Sequence, residues 1–208
     1  MFANLTTVAY VYSQSREGSV LENLLDGFGG VLVTGFYAAY DSAPCPQQKC
    51  LIYLVRDINQ DLHKNPFDEE LKDIARRFGG LLREDVETID AFGLKARHLG
   101  KHKRSAEGFI ERVVAMKCST EASSALRKRI EKNRDKLFTF LDYDGIPWNN
   151  NNAEHAVKAF TKLRNVILTS TPKGTQEYAT LLSVQQTLKY RGMDFLEFMR
   201  SGKIEIDP

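Results

Sequence analysis

The chain has 208 residues, 42% of them hydrophobic and 27% charged, and a formal net charge of +2. Such a composition is ordinary for a soluble domain that buries roughly 70% of its unfolded surface. No apolar run approaches the ~20 residues that span a bilayer, the N-terminus lacks the basic and apolar regions of a signal peptide, and the three cysteines are expected to be free thiols.

In chain order, residues 6–12 are rich in β-branched and aromatic side chains and predict a strand. Ser19 with Glu22 three positions on predicts the cap of a short helix that buries Val20, Leu21, Leu24 and Leu25. Gly29-Gly30 ends it, and residues 31–34 read as a buried strand that Gly35 stops. Pro46 is expected to open a helix carrying Cys50, Leu51, Leu54, Val55 and Ile58 at helical spacing.

From Asp68 the pattern turns helical. Ile74, Phe78, Leu81, Leu82, Val86 and Ile89 mark a long helix face, with a kink or break expected at Gly79-Gly80. Phe109, Ile110, Val113 and Val114 mark a second helix, and Ile130, Leu137, Phe140 and Leu141 a third. A loop over residues 142–152 leads into another helix, residues 166–169 read as a short strand, and helices over 175–190 and 195–199 close the chain.

Charge is unevenly spread. Lys95, Arg97, His98, Lys101, His102, Lys103 and Arg104 form a run with no acid among them, the pattern of a nucleic-acid contact; Lys101, Lys103 and Arg104 are its expected phosphate ligands. The run from Arg127 to Arg134 contains Glu131 and reads as a solvated helix face.

Four asparagines, Asn149 to Asn152, run into the helix that carries Glu154. The Asn151-x-x-Glu154 spacing is that of a capping box, and Lys158 stands one turn on as an ion-pair partner. The other reading makes Glu154 a metal-binding carboxylate held at a helix start. Lys158 and Arg164 beside this helix either flank a DNA phosphate or form its solvated face. Lys173, before the next helix, either presents a phosphate-binding turn or belongs to an ordinary helix start. Trp148 reads as a packing residue with base stacking as the alternative. Cys45 and Cys50 lack the second pair that a zinc site requires.

The ordered stretches Gly30-Val31-Leu32-Val33-Thr34-Gly35-Phe36-Tyr37-Ala38-Ala39-Tyr40-Asp41, Cys45-Pro46-Gln47-Gln48-Lys49-Cys50-Leu51-Ile52-Tyr53-Leu54-Val55-Arg56-Asp57, Asn65-Pro66-Phe67-Asp68-Glu69-Glu70-Leu71 and Asp142-Tyr143-Asp144-Gly145-Ile146-Pro147-Trp148 lead to an Asn-Asn-x-Ala-Glu motif ending at Glu154. In these the chain resembles the insertion-sequence-66 class of bacterial DDE transposases over nearly its whole length. The resemblance implies an α/β, ribonuclease-H-like fold with a large helical insertion. In that frame residues 1–66 form a partial core, 67–141 the insertion, and 142–208 the C-terminal part of the core with the glutamate helix. It also implies DNA cleavage and strand transfer, in which two divalent metals ~4 Å apart activate the attacking oxygen and stabilise the leaving one. Mg2+ or Mn2+ is the implied cofactor, held by three carboxylates.

Glu154 matches the third acid. The second acid's position is Gly35, which cannot ligate a metal, and the first acid's strand is expected to precede Met1, so the chain reads as an N-terminally truncated copy. The family's cysteine followed three residues later by histidine appears as Cys50 and Tyr53. Asp41 is too far along to replace the missing acid, a two-metal site tolerating errors of about half an ångström. A catalytically inactive transposase-like protein is therefore expected, with a non-catalytic DNA- or transposase-binding remnant as the alternative. Unproductive binding of the metal ions goes with it. The expected partners are DNA, at transposon ends and target, and either another copy of the chain or a full-length transposase. The expected place is the bacterial cytoplasm, at the nucleoid, with no membrane.

Overall fold

A computed structural model of the chain describes residues 1–13, 18–164 and 171–206, the side chains of 18–20 and 162–164 excepted. The architecture is mixed α/β, mostly helical, with two small sheets of two strands each. Two compact units divide it. One comprises Met1–Arg16 with Asn150–Pro208, the other Glu17–Asn149.

In the first unit, β1 (Phe2–Ala3) pairs antiparallel with β2 (Val8–Ala9). The expected strand over 6–12 is thus shortened to its centre. The intervening turn is held by Asn4, whose Oδ1 accepts from the backbone N–H groups of Thr6 and Thr7 at 2.8 and 2.7 Å, an Asx turn of the kind that favours asparagine.

Thr187 satisfies the outer edge of β2. Its hydroxyl accepts from Val8 N at 3.0 Å and donates to Val8 O at 3.1 Å. A two-residue strand would otherwise leave both groups unpaired in the interior.

The second unit holds the larger core. Its first helix, α1 (Gly18–Leu24), begins one residue before the expected cap; Leu21 and Leu25 are buried and Leu24 is exposed. β3 (Leu32–Thr34) follows where expected and pairs in parallel with β4 (Gln47–Lys49), in the register Leu32 to Gln47, Val33 to Gln48 and Thr34 to Lys49.

That second strand corrects the helix expected to open at Pro46. Three polar residues, Gln47, Gln48 and Lys49, are buried there, and two of them are held by residues distant in sequence. Gln48 donates to Leu137 O at 2.7 Å and accepts from Phe140 N at 2.9 Å, while Thr139 donates to Gln47 O at 2.7 Å. The helix α2 (Leu51–Lys64) starts only after the strand and buries Leu51, Leu54 and Ile58.

α3 (Glu69–Phe92) runs unbroken through Gly79-Gly80, against the expected break. Both glycines are exposed, and Phe78, Leu81 and Leu82 beside them are buried. Each interior glycine costs about 1 kcal/mol relative to alanine. Burial of three large apolar side chains exceeds that cost. Asp68 caps the N-terminus by accepting from Leu71 N at 2.9 Å, and Gly93 ends the helix at φ 71°.

The short α4 (Ala96–Leu99) leads to α5 (Lys103–Ala115) and α6 (Glu121–Lys132). Thr120 caps α6, and Glu70 of α3 accepts from Ser119 N and from the hydroxyls of Ser119 and Ser123 at 2.8–2.9 Å, tying the start of α6 to α3. Those hydrogen bonds hold the Glu70 carboxyl below its usual range. The third predicted helix stops at Lys132, and Leu137, Phe140 and Leu141 reach the core from two 3-10 turns instead. Trp148 packs against this core.

The first unit is completed by α7 (Asn151–Arg164), α8 (Pro172–Tyr190) and α9 (Phe195–Ser201). The strand expected over 166–169 lies outside the described residues. No helix among those described is long and apolar enough to cross a membrane.

Candidate functional site

Glu154 lies in the first turn of α7, whose first residue is Asn151. That start places Glu154 fourth in the helix, one position beyond the capping-box glutamate, and its backbone N–H goes to Asn150 O at 3.0 Å. The anticipated ion pair with Lys158 is not among those of the described residues, and Lys158 is exposed. Glu154 Oε1 is buried without a hydrogen-bond partner. A buried carboxylate oxygen left unpaired costs free energy, and such groups call for an explanation beyond structure. Around it Tyr10 donates to Ala156 O and Tyr190 to Asn152 O, so backbone carbonyls on α7 are taken by tyrosine hydroxyls. Burial pushes the Tyr10 hydroxyl up to about 12, with Tyr190 and Tyr178 adding to the shift.

Gly35 follows the last residue of β3. A Cβ built there lies 3.4 Å from the Tyr53 ring of α2, an ordinary contact. The glycine and the tyrosine that stands three residues after Cys50 are therefore neighbours in space. Thr34 points elsewhere, toward the ammonium group of Lys49 at 3.4 Å, as alternation along a strand requires.

On that second face Asp41 is surrounded by cations. Its Oδ1 lies 2.9 Å from Lys49 Nζ and 3.8 Å from Lys136 Nζ, and its Oδ2 3.2 Å from Lys132 Nζ. The Lys49 hydrogen bond, with help from Lys132 and Lys136, holds the Asp41 carboxyl below its usual value despite partial burial. Lys49 is completely buried, and desolvation lowers its pKa against the opposing pull of Asp41. Asp57, on α2, is paired with Arg129.

The basic residues divide into matched and unmatched groups. Lys103 pairs with Asp142, and Lys95 lies 3.7 Å from Asp144. Acids about forty to fifty residues on thus supply the relief that the run lacks locally. Lys101 and Arg104 are exposed, with no ion pair among the described residues. Lys173 is exposed near Glu177 at 3.8 Å, in the first turn of α8, where the N–H of Gly174 goes to Thr171 Oγ1. Arg164 closes α7, and its side chain lies outside the described residues. The three cysteines are free, Cys50 buried and Cys45 and Cys118 partly so.

These donors do not fit the metal ions implied by the resemblance. Position 35 offers no ligand, Asp41 is already engaged by three ammonium groups, and Glu154 is a single carboxylate. Among the described residues no three His, Cys, Asp or Glu side chains are grouped to hold an ion.

Against known proteins, the family model described as "Transposase IS66 family" matches residues 2–178. The chain belongs to this family of transposases, proteins of transposition and insertion sequences. No curated protein and no solved structure matches it.

Proposed function

We propose that this chain is a transposase-family protein that engages DNA but does not itself cut or join strands. The observation that carries the reading is Gly35, inside the span that matches the family, where the second metal-binding acid would stand. In this reading residues 1–66 and 142–208 correspond to a ribonuclease-H-like core, and residues 67–141, with α3 to α6, to its helical insertion. Glu154 descends from the third acid, and its unpartnered buried oxygen supports that descent. Lys101, Lys103, Arg104, Lys158, Arg164 and Lys173 are assigned to DNA, Lys103 only where phosphate displaces Asp142.

The loss of the second acid favours a binding role, toward DNA or toward another transposase chain, over catalysis. Divalent metal belongs to the family's chemistry in general, where carboxylates position it against a phosphate. Here the second acid's position is Gly35. Titration of Mn2+ into the purified chain, followed by calorimetry, is expected to show no binding tighter than roughly the millimolar range. Stoichiometric micromolar binding that Glu154→Gln abolishes would contradict the proposal.

A further inference from the structure

We infer that the lysines gathered on Asp41 form a seat for a DNA backbone phosphate, an inference that rests on the DNA-binding reading above. Lys49 from β4, Lys132 at the end of α6 and Lys136 in the following 3-10 turn converge on a single carboxylate, at 2.9, 3.2 and 3.8 Å. Three ammonium groups facing one acid leave a surplus of two positive charges at one spot.

The neighbouring arginines show no such surplus. Arg129 pairs with Asp57, Arg127 with Glu131 at 3.2 Å, and Arg134 with Asp135 at 3.8 Å, one acid to each. Lys95 and Lys103 are matched in the same way by Asp144 and Asp142. Among these ion-paired cations the excess is at Lys132 and Lys136.

Geometry leaves that excess available. Lys49 is sealed inside and keeps Asp41 in place, whereas the Lys132 side chain is 66% exposed and that of Lys136 28%. The negative end of α6 is covered, because Asn133 donates its backbone N–H and its side-chain amide to the last carbonyls, including Arg129 O at 2.8 Å. A phosphate oxygen bridging the two outer ammonium groups would restore balance without displacing Asp41 from Lys49. Recognition of this kind reads charge and spacing and carries no base sequence. The run first read as a solvated helix face thereby gains a binding role.

The test measures affinity for a fluorescein-labelled random-sequence duplex by anisotropy, across roughly 50 to 200 mM KCl. The full chain is compared with Lys132→Gln/Lys136→Gln, with Lys132→Arg/Lys136→Arg, and with Lys64→Gln/Lys117→Gln, which removes the same charge elsewhere. Circular dichroism checks that each is folded. Each neutralised phosphate contributes about 0.9 to the slope of log affinity against log salt. The seat predicts a slope shallower by about 0.9 for the paired glutamine variant, and wild-type behaviour for the arginine variant and the distant control. An unchanged slope in Lys132→Gln/Lys136→Gln overturns the seat while DNA binding stands. Absence of salt-dependent binding by the unmodified chain overturns the DNA-binding reading and the seat with it.

Discussion

Replacing Asp85 by asparagine is expected to stabilise the protein progressively as pH rises, from almost nothing near pH 4 to about 4 kcal/mol near pH 8. Asp85 lies on the buried face of α3, and neither carboxylate oxygen has a hydrogen-bond partner. Burial, with a smaller contribution from the nearby Glu84, raises its pKa to about 7 from 3.8. The folded form therefore holds a proton that the unfolded chain gives up. Stability from this group is fully present below the unfolded pKa of 3.8 and is lost as pH rises through about 7.

His102 acts in the opposite sense. Its Nδ1 stands 3.7 Å from Asp85 Oδ1 and its Nε2 2.8 Å from Thr88 Oγ1, and burial is the main cause that lowers its pKa below 6.5. A lowered histidine favours the fold above its unfolded value and weakens it as pH falls. The rise in the gap above pH 6.5 is therefore assigned to Asp85. Urea unfolding of the two proteins at a series of pH values measures it; parallel stability curves would contradict the assignment.

The second large effect is expected at Asp41. Asp41→Ala strands a fully buried ammonium group and is expected to cost about 2 to 3 kcal/mol, below the range for wholly buried pairs because Asp41 is 29% exposed. Lys49→Met replaces the buried cation by an apolar chain of similar length and is expected to cost under about 1 kcal/mol. Asp41→Ala/Lys49→Met should then recover most of the loss. The cycle also has a pH signature. With its folded pKa lowered, Asp41 stabilises the fold above the unfolded value, and that support disappears as pH falls through the folded pKa. Chemical denaturation of the four proteins decides. Additive single effects would show that Asp41 and Lys49 are not coupled.

What was legible in the sequence were features set by local pattern. The apolar run before Gly35 appears as β3, the helical spacing from Ile74 to Ile89 as α3, and that of Phe109 to Val114 as α5. What was not legible depends on residues far apart in sequence. Gln47, Gln48 and Lys49 look like a helix approach because nothing nearby would pay for burying them. The partners of Gln47 and Gln48, which are Leu137, Thr139 and Phe140, lie about ninety positions on. The end of α6 at Lys132 was hidden because the apolar spacing continues through two 3-10 turns, which keep Leu137 and Phe140 in the core.

The candidate site divides along the same line. Glu154 and Gly35 stand out by motif alone. The proximity of Gly35 to Tyr53, the enclosure of Asp41, and the pairing of Lys103 with Asp142 require the fold. The helix starts at Asn151 itself, so Glu154 stands one position beyond the capping-box glutamate, and its Oε1 has no hydrogen-bond partner. Position matters more than composition here.

The proposed inactivity of this member of the transposase family rests on Gly35, where the second metal-binding acid would stand. Its most direct measurement is incubation of the purified chain with supercoiled plasmid carrying candidate transposon ends, in Mg2+ and in Mn2+, with nicked and joined products resolved on a gel. No metal-dependent nicking or joining above the no-protein control is the predicted result. Metal-dependent cleavage or strand transfer by the unmodified chain, abolished by Glu154→Gln, would contradict the account.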